Sequence, residues 1–522
     1  MTQRNLLGTL SFAILGLTAE LPAQQQPLRG FDDYVARAVS DWRVPGLSIA
    51  VVKDDSVVFL KGYGVRELGK PDPVTVHTRF GVMSTTKAFT TMLLAMLADS
   101  GKLAWDDAAT RYLPELALKD PWVTRELSLR DLVTHRIGFP DPGYLWYGES
   151  LDVAELMRRL RLVPAASSMR SQFAYNNVAY ALAGEIAARA AGGGGGGTTS
   201  WQALVHSRIY EPLGMSESYP DERELRAAGI TDVTAPHGIV NDTVRRLPIT
   251  AALVDPIAPA GAMFSSAADM ARWLRFLLDS GRVGGGGRRL VSPRNFQQLF
   301  TPQQVVPPRE FYPTARLTRP HFQAYGLGWF LEDYRGEFVA FHTGSIDGRS
   351  AIVGLLPDRR LGVAIFTNLD HSELRHALMY TVFDRYLGPQ PGVQHDWSIE
   401  MRTLYQALRD SALARRGTRE AARVMGTHPT LPLEQYVGVY ADSLFGVARI
   451  QLEAGRLTLQ LGEQTGALEH WQYDLFRVNW RQPLNDPDYL RFTLDADGKV
   501  GELSVLDSPL RFRRSQKGAQ AP

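Results

Sequence analysis

Ser84 and Lys87 stand three residues apart in "FGVMSTTKAFTTMLLAML", Phe80 to Leu97, a stretch that is apolar on both sides of its small polar cluster. Residues three apart on a helix share a face, so the hydroxyl and the amine can meet. A lysine that loses water loses basicity and can take a proton from a serine. At a helix start the serine also lies near free backbone N–H groups and the positive end of the helix dipole. Tyr175 and Asn177 in "SQFAYNNVAYALAGEIA" add a phenol that can serve as a base near an ammonium and an amide that can bind a carbonyl. "FHTGSIDG", Phe341 to Gly348, adds His342 and a glycine, Gly344, that lets a substrate lie close to a strand. Each piece has an ordinary reading beside the chemical one. Ser84 and Lys87 could simply open a helix, Tyr175 could pack, Asn177 could cap, and Gly344 and Gly348 could serve a turn.

The elements that carry these residues follow from periodicity. "VPGLSIAVVKDDSVVFLKGYGVREL", Val44 to Leu68, alternates around Asp54-Asp55 and predicts a β-hairpin. A helix is expected over Thr85 to Leu97, and a mostly helical region from about Ala104 to Val254, with a helix from near Val178. Close-spaced strand patterns return over Tyr325 to Asp370 and predict an antiparallel meander, followed by a helix at Ser372 to Tyr386. Strands at both ends with helices between them satisfy one sheet packed by helices. Trp397 to Val424 reads as a charged amphipathic helix, and "MGTHPTLPLEQY" as a linker. Beyond it the period becomes two, with seven or eight short strands and no helix, the pattern of a small antiparallel barrel or sandwich. The glycine runs Ala191 to Ser200 and Gly284 to Gly287 read as surface loops without a phosphate-cradle motif.

The 522 residues carry 57 Lys and Arg against 55 Asp and Glu, a balance that argues against a nucleic-acid or polybasic membrane footprint. The chain has no cysteine, which removes disulfides, thiol nucleophiles and Cys-type zinc sites. Its 11 histidines include no H-E-x-x-H, so neither a metal nor another cofactor is expected. Arg4, the apolar run Leu6 to Ala19 and "LPA" before Gln24 read as a secretory signal peptide, which predicts a periplasmic or secreted protein without a stable membrane span.

S-x-x-K, Y-x-N and H-T-G in that order resemble the serine penicillin-recognising enzymes: class C β-lactamases, D,D-carboxypeptidases, D-aminopeptidases and related esterases. "LRDLVTHRIGFPD", "IYEPLGMSES" and "APAGAMFSSAADMARWL" extend the likeness over about Gly30 to Leu387. The tail from "LPLEQYVGVYAD" resembles the lipocalin-like domain attached to self-compartmentalised serine peptidases of this group. The resemblance implies an α/β (α+β) fold: an antiparallel sheet flanked by helices plus a mostly helical subdomain, then a small all-β barrel. The expected division is a signal peptide at 1–23, a hydrolase domain at 30–390, a helical linker at 391–430 and a barrel at 431–515.

By the same resemblance Ser84 is the acylated nucleophile. Lys87 relays its proton and holds Tyr175 ionised, and Tyr175 is the base in acylation. Asn177 binds the substrate's acyl amide. His342 stands where class C β-lactamases carry lysine, to assist Tyr175 or bind a carboxylate. The N–H groups of Ser84 and Ser345 form the oxyanion hole. The implied activity is hydrolysis of peptide, amide or ester bonds on a small-molecule or peptide substrate, in a chain that could form homo-oligomers. A β-lactamase and a catalytically silent penicillin sensor are the competing readings.

Overall fold

The structure is a computed structural model that describes residues 27–149, 151–193, 199–248, 251–392 and 394–515. The signal-peptide stretch and the centre of the first glycine run lie outside these residues.

An eight-stranded antiparallel sheet forms from both ends of the first 390 residues. Its strands are β1 (Gly46–Lys53), β2 (Ser56–Gly64), β3 (Gln304–Val305), β4 (Gln323–Tyr325), β5 (Phe330–Tyr334), β6 (Glu337–Ile346), β7 (Arg349–Leu356) and β8 (Leu361–Thr367). Their order across the sheet is β2-β1-β8-β7-β6-β5-β4-β3. The N-terminal hairpin therefore docks on the last strand of the meander, with Leu47 opposite Thr367. Both faces are buried, so alternate residues of one strand serve two cores. Ile49 and Val51 point to one core, while Ala50 and Val52 point to the other.

On the first face lie α1 (Phe31–Asp41), α5 (Leu374–Leu387) and the start of α6 (Trp397–Ala421). On the second lie α2 (Thr86–Asp99), α3 (Asn177–Ala188) and α4 (Ala267–Leu278). Helix α2 has no Gly or Pro, nine of its 14 residues are the good helix formers Ala, Leu, Met and Lys, and 11 of the 14 are buried. Phe89 stacks on Trp273 of α4 at 4.0 Å between ring centroids. The helix stops where Gly101, at φ 67°, takes the left-handed conformation, with Gly101 N–H on Ala98 O at 3.1 Å and Lys102 N–H on Leu97 O at 3.0 Å.

The C-terminal strands close into an eight-stranded barrel in sequence order: β9 (Gly438–Asp442), β10 (Gly446–Glu453), β11 (Arg456–Leu461), β12 (Gln464–Gln472), β13 (Leu475–Trp480), β14 (Asp488–Leu494), β15 (Val500–Val505) and β16 (Arg511–Arg514). Tyr440 opposite Arg514 makes the closing seam. The interior is packed by side chains, among them Tyr436, Tyr440, Phe476 and Phe492. Outside, α6 runs along the barrel, and Arg423 just beyond its end lies 4.6 Å from the ring centre of Trp471. The barrel also touches the sheet domain. Glu463 N–H bonds Gly148 O at 2.9 Å, and Phe445 meets Tyr144 edge-on at 4.8 Å. Among the described residues, no helix is long and apolar enough to cross a membrane.

One buried acid in the sheet carries a pH consequence. Glu332 on β5 is fully buried, accepts a bond from Tyr380 of α5, and leaves its other oxygen without a partner. Burial raises its pKa to about 8. The folded state therefore holds the proton that the unfolded chain releases in the ordinary glutamate range. Stability is highest below that range and falls as pH rises toward about 8. Glu332→Gln keeps the shape and removes the ionisation. We expect its melting temperature to exceed that of the parent chain at pH ~9 by several degrees, with the gap shrinking as pH falls toward ~5 in thermal unfolding followed by circular dichroism.

Candidate functional site

Ser84 sits where the chain turns from the short strand Phe80–Gly81 into α2. Met83, buried and at φ 48°, makes the turn, and Met83–Thr85 form one turn of 3-10 helix ahead of α2. The hydroxyls of Thr85 and Thr86 lock it by bonding Val82 O at 2.8 Å and Met83 O at 2.6 Å. The first N–H groups of such a turn have no carbonyl of their own helix to bond, so that of Ser84 is free to serve a ligand. Ser84 keeps partial access to solvent, whereas the residues on both sides of it are buried.

Lys87 is fully buried one turn on. Its Nζ lies 3.1 Å from Ser84 Oγ, 2.7 Å from Asn177 Oδ1 and 3.0 Å from Ala260 O. The rings of Tyr175 and Tyr180 flank it, with centres 4.7 and 5.2 Å away. Burial drives its pKa well below the ordinary lysine range, and the nearby Asp141 opposes this only in part. The contacts suit a neutral amine. Its two hydrogens satisfy the two obligate acceptors, Asn177 Oδ1 and Ala260 O, and its lone pair faces the Ser84 hydroxyl.

Tyr175 lies beside the pair, its ring centre 4.7 Å from Lys87 Nζ and its phenol under the influence of the Ser84 hydroxyl. Its ring lies in an aromatic wall with His135 at 4.3 Å and Phe330 parallel at 6.5 Å. Burial raises the phenol well above its ordinary range, and the bond to Ser84 offsets this only in part. The expected ionised Tyr175 is therefore corrected. A phenolate in an apolar wall is poorly solvated, so Lys87 is the group pushed toward the basic, neutral form and Tyr175 keeps its proton.

Asn176 and Asn177 divide their work. Asn176, fully buried, caps α3 by accepting Ala179 N–H at 2.9 Å. Asn177, considered above as a cap, is instead the first helical residue and faces the site. Both ends of its amide are engaged, Oδ1 by Lys87 and Nδ2 by Asp141 Oδ2 at 2.8 Å. Its own N–H bonds Asp141 Oδ1 at 3.0 Å, and Trp146 Nε1 bonds Asp141 Oδ2 at 3.0 Å. In this arrangement Asn177 orients the lysine, and the second hydrogen of its Nδ2 is the amide group left for a substrate.

Asp141 and His135 were not singled out in the sequence. Burial raises the Asp141 pKa, with the Asn177 and Trp146 bonds opposing. His135, fully buried, accepts Asn176 N–H on Nδ1 at 3.0 Å and so fixes the peptide that joins Tyr175 to Asn176. Both lie in "THRIGFPD", which follows Asp131, a buried carboxylate paired with Arg136 at 2.6 Å. An aspartate one residue after a proline in that loop was the available signal, but nothing local ties it to Asn177, 36 positions away.

The third wall is β6. Alternation places His342 and Gly344 on the face toward α2, and Thr343 and Ser345 on the face toward α5. A Cβ on Gly344 would lie 2.6 Å from Ser84 N and 2.6 Å from Val82 O, so only glycine lets the strand approach the serine this closely. Beyond Phe341 the edge of β6 is no longer paired with β5 and lies open from His342 to Ile346. Ser345 can offer its N–H from that edge, while its hydroxyl points away and meets Arg375 at 2.7 Å. His342 is 1% exposed. Its Nδ1 lies 2.6 Å from Thr343 O and its Nε2 3.0 Å from Tyr325 Oη. Burial lowers its pKa to about 3. A neutral, enclosed imidazole of this kind offers no charge to a carboxylate. It stands behind Tyr175, ring centres 6.3 Å apart. The sequence expectation of four catalytic groups thus resolves into Ser84 and Lys87 in direct contact, the Tyr175 ring against the lysine, and His342 one layer back.

Comparison with known proteins gives the family and the fold. The family model described as Beta-lactamase matches residues 31–384, and one described as a domain of unknown function (DUF3471) matches 422–518. The unguisins hydrolase ungD' of Aspergillus campestris is 26% identical over 424 residues, covering 78% of this chain and 75% of that one. The octameric penicillin-binding protein homologue from Pyrococcus abyssi superposes with a TM-score of 0.58 at 20% identity, covering 93% and 99% of the two chains. A class C beta-lactamase superposes with a TM-score of 0.56 at 18% identity, covering 70% and 97%. With a family match over residues 31–384 of 522, this chain belongs to the beta-lactamase family of hydrolases.

Proposed function

We propose that the chain is an exported serine hydrolase that cleaves peptide, amide or ester bonds through an acyl-enzyme on Ser84. The observation that carries this reading is the Ser84 hydroxyl held 3.1 Å from a buried amine whose other contacts are both acceptors. Lys87 takes the proton as Ser84 Oγ attacks the substrate carbonyl carbon. The carbonyl oxygen becomes an oxyanion facing the N–H groups of Ser84 and Ser345. As the bond to the leaving nitrogen or oxygen breaks, the Tyr175 phenol gives it a proton and regains one from the Lys87 ammonium. Water then attacks the acyl-serine by the same proton path and restores Ser84.

The relative named an unguisins hydrolase supports hydrolysis as the activity. The β-lactam reading draws less support, because enclosed, neutral His342 replaces the cation expected to meet a carboxylate. The sensor reading has no use for a desolvated lysine beside a serine. The apolar leader supports export, and the octameric neighbour supports a homo-oligomer.

Incubation with a fluorophosphonate should add one adduct to Ser84 by intact mass and peptide mapping. Ser84→Ala should abolish the adduct and lower turnover of p-nitrophenyl esters and D-alanyl p-nitroanilides by about 10³-fold or more. Persistent labelling of that variant would move the nucleophile elsewhere. The acid limb of kcat/KM against pH should report Lys87 and lie well below the ordinary lysine range. Asp141→Asn removes a charge that favours the ammonium, so the limb should shift to lower pH, and an unmoved limb would exclude Lys87 as its source. His342→Gln should lower the rate about tenfold through its packing against Tyr175 yet leave the midpoint in place, since His342 is already neutral at that pH.

A further inference from the structure

Arg375, at the start of α5, is 2% exposed and points at the backbone of the site rather than at solvent. Its Nη1 lies 2.6 Å from Gly344 O, 2.7 Å from Ser345 Oγ and 3.3 Å from Ala351 O. Gly344 and Ala351 are register partners on β6 and β7. One guanidinium nitrogen can reach both carbonyl oxygens only if both point into the gap between the two strands. The peptide that carries Gly344 O also carries the N–H of Ser345. In a trans peptide these point in opposite directions, so the Ser345 N–H emerges on the open edge of β6, the edge that β5 leaves unpaired beyond Phe341. Gly344 meanwhile abuts the Ser84 nitrogen. The two N–H groups of the oxyanion site are thus set by one strand position, and a buried cation grips the far end of that peptide.

We propose that Arg375 is a positioning residue of the oxyanion site. Its guanidinium holds the Gly344–Ser345 peptide in plane and polarises it, so that the Ser345 N–H becomes a better-aimed and stronger donor to the oxyanion. A charge-assisted bond to a carbonyl draws electron density from the amide nitrogen, and linked hydrogen bonds strengthen one another in a desolvated setting. Glu373 keeps the guanidinium in place, with Nη2 at 2.8 Å from Oε1. Burial opposes ionisation of that carboxyl, but the charge of Arg375 and the hydrogen bond to His376 outweigh it and hold the pKa at about 2. Thr343, two residues before Ser345 on the same face, is pinned by Tyr312 Oη at 2.6 Å, so the strand is braced on both sides of the peptide.

The inference rests on the acyl-enzyme reading, and the test separates the two. Three full-length proteins are compared: the parent, Arg375→Lys, and a Glu373→Gln/Arg375→Gln double variant that leaves no unpaired buried charge. Each is acylated with a slowly released p-nitrophenyl ester bearing an isotope-labelled carbonyl, and the ester band is read by infrared difference spectroscopy. A carbonyl seated in a strong oxyanion site absorbs at lower wavenumber. We expect the band to move to higher wavenumber in the double variant and part of the way in Arg375→Lys. The acylation rate should fall about tenfold or more in the double variant, with KM little changed. A structural tie between α5 and the sheet would alter melting temperature without moving the carbonyl band. A Ser84 adduct whose band is the same in all three proteins overturns the role of Arg375 alone. No Ser84 adduct in the parent overturns the acyl-enzyme reading and this proposal with it.

Discussion

An amine without water holds this site together. Lys87 Nζ has no contact with solvent, and Ser84, Asn177 and the carbonyl of Ala260 meet on it from three separate parts of the chain. A buried ammonium would cost several kcal/mol, so the protein gains by letting it shed its proton, and a neutral amine beside a serine is a base. The surrounding framework enforces that condition. Helix α2 is buried over most of its length, α3 closes one side, and the backbone of Ala260 closes another.

The loop from Asp141 to Glu149 ties this centre to more distant parts of the molecule. Its first residue orients Asn177 and, through it, the lysine. Tyr147 further along bonds Asp347 in the turn after β6 at 2.7 Å, and Gly148 O accepts the bond from Glu463 of the barrel. The C-terminal barrel therefore touches the segment that sets the lysine, although its own interior is filled by aromatic and aliphatic side chains. Arg375 acts in a parallel way from the opposite face of the sheet, reaching the backbone of β6 from behind.

Much of the fold was legible because it repeats. Period two around Asp54-Asp55, the meander from Tyr325 to Asp370 and the alternating tail gave the sheet and the barrel, and the second glycine run fell outside the regular elements, whereas the first begins inside the π-helical turn Arg189–Gly193. Ser84, Lys87, Tyr175 and Gly344 were legible because their types are unusual for an apolar setting. Other features were not. Asn176 and Asn177 are adjacent and identical in type, and only helix phase decides which one caps. His342 suggested a group facing the substrate, but its neighbours Tyr325 and Phe330 enclose it. Asp141 and Arg375 sit in stretches with no local oddity, and their partners are 36 and 31 residues away.

The sequence by itself determined the identities of the hydroxyl, amine and phenol, the glycine that lets a strand approach them, and the order of elements that carry them, since periodicity and residue chemistry are local properties. Tertiary structure alone decided which of these groups holds a proton, which asparagine faces the site, and which buried charges steer them. Protonation follows from burial and from the nearest dipoles, and both are fixed by contacts between residues far apart in the chain.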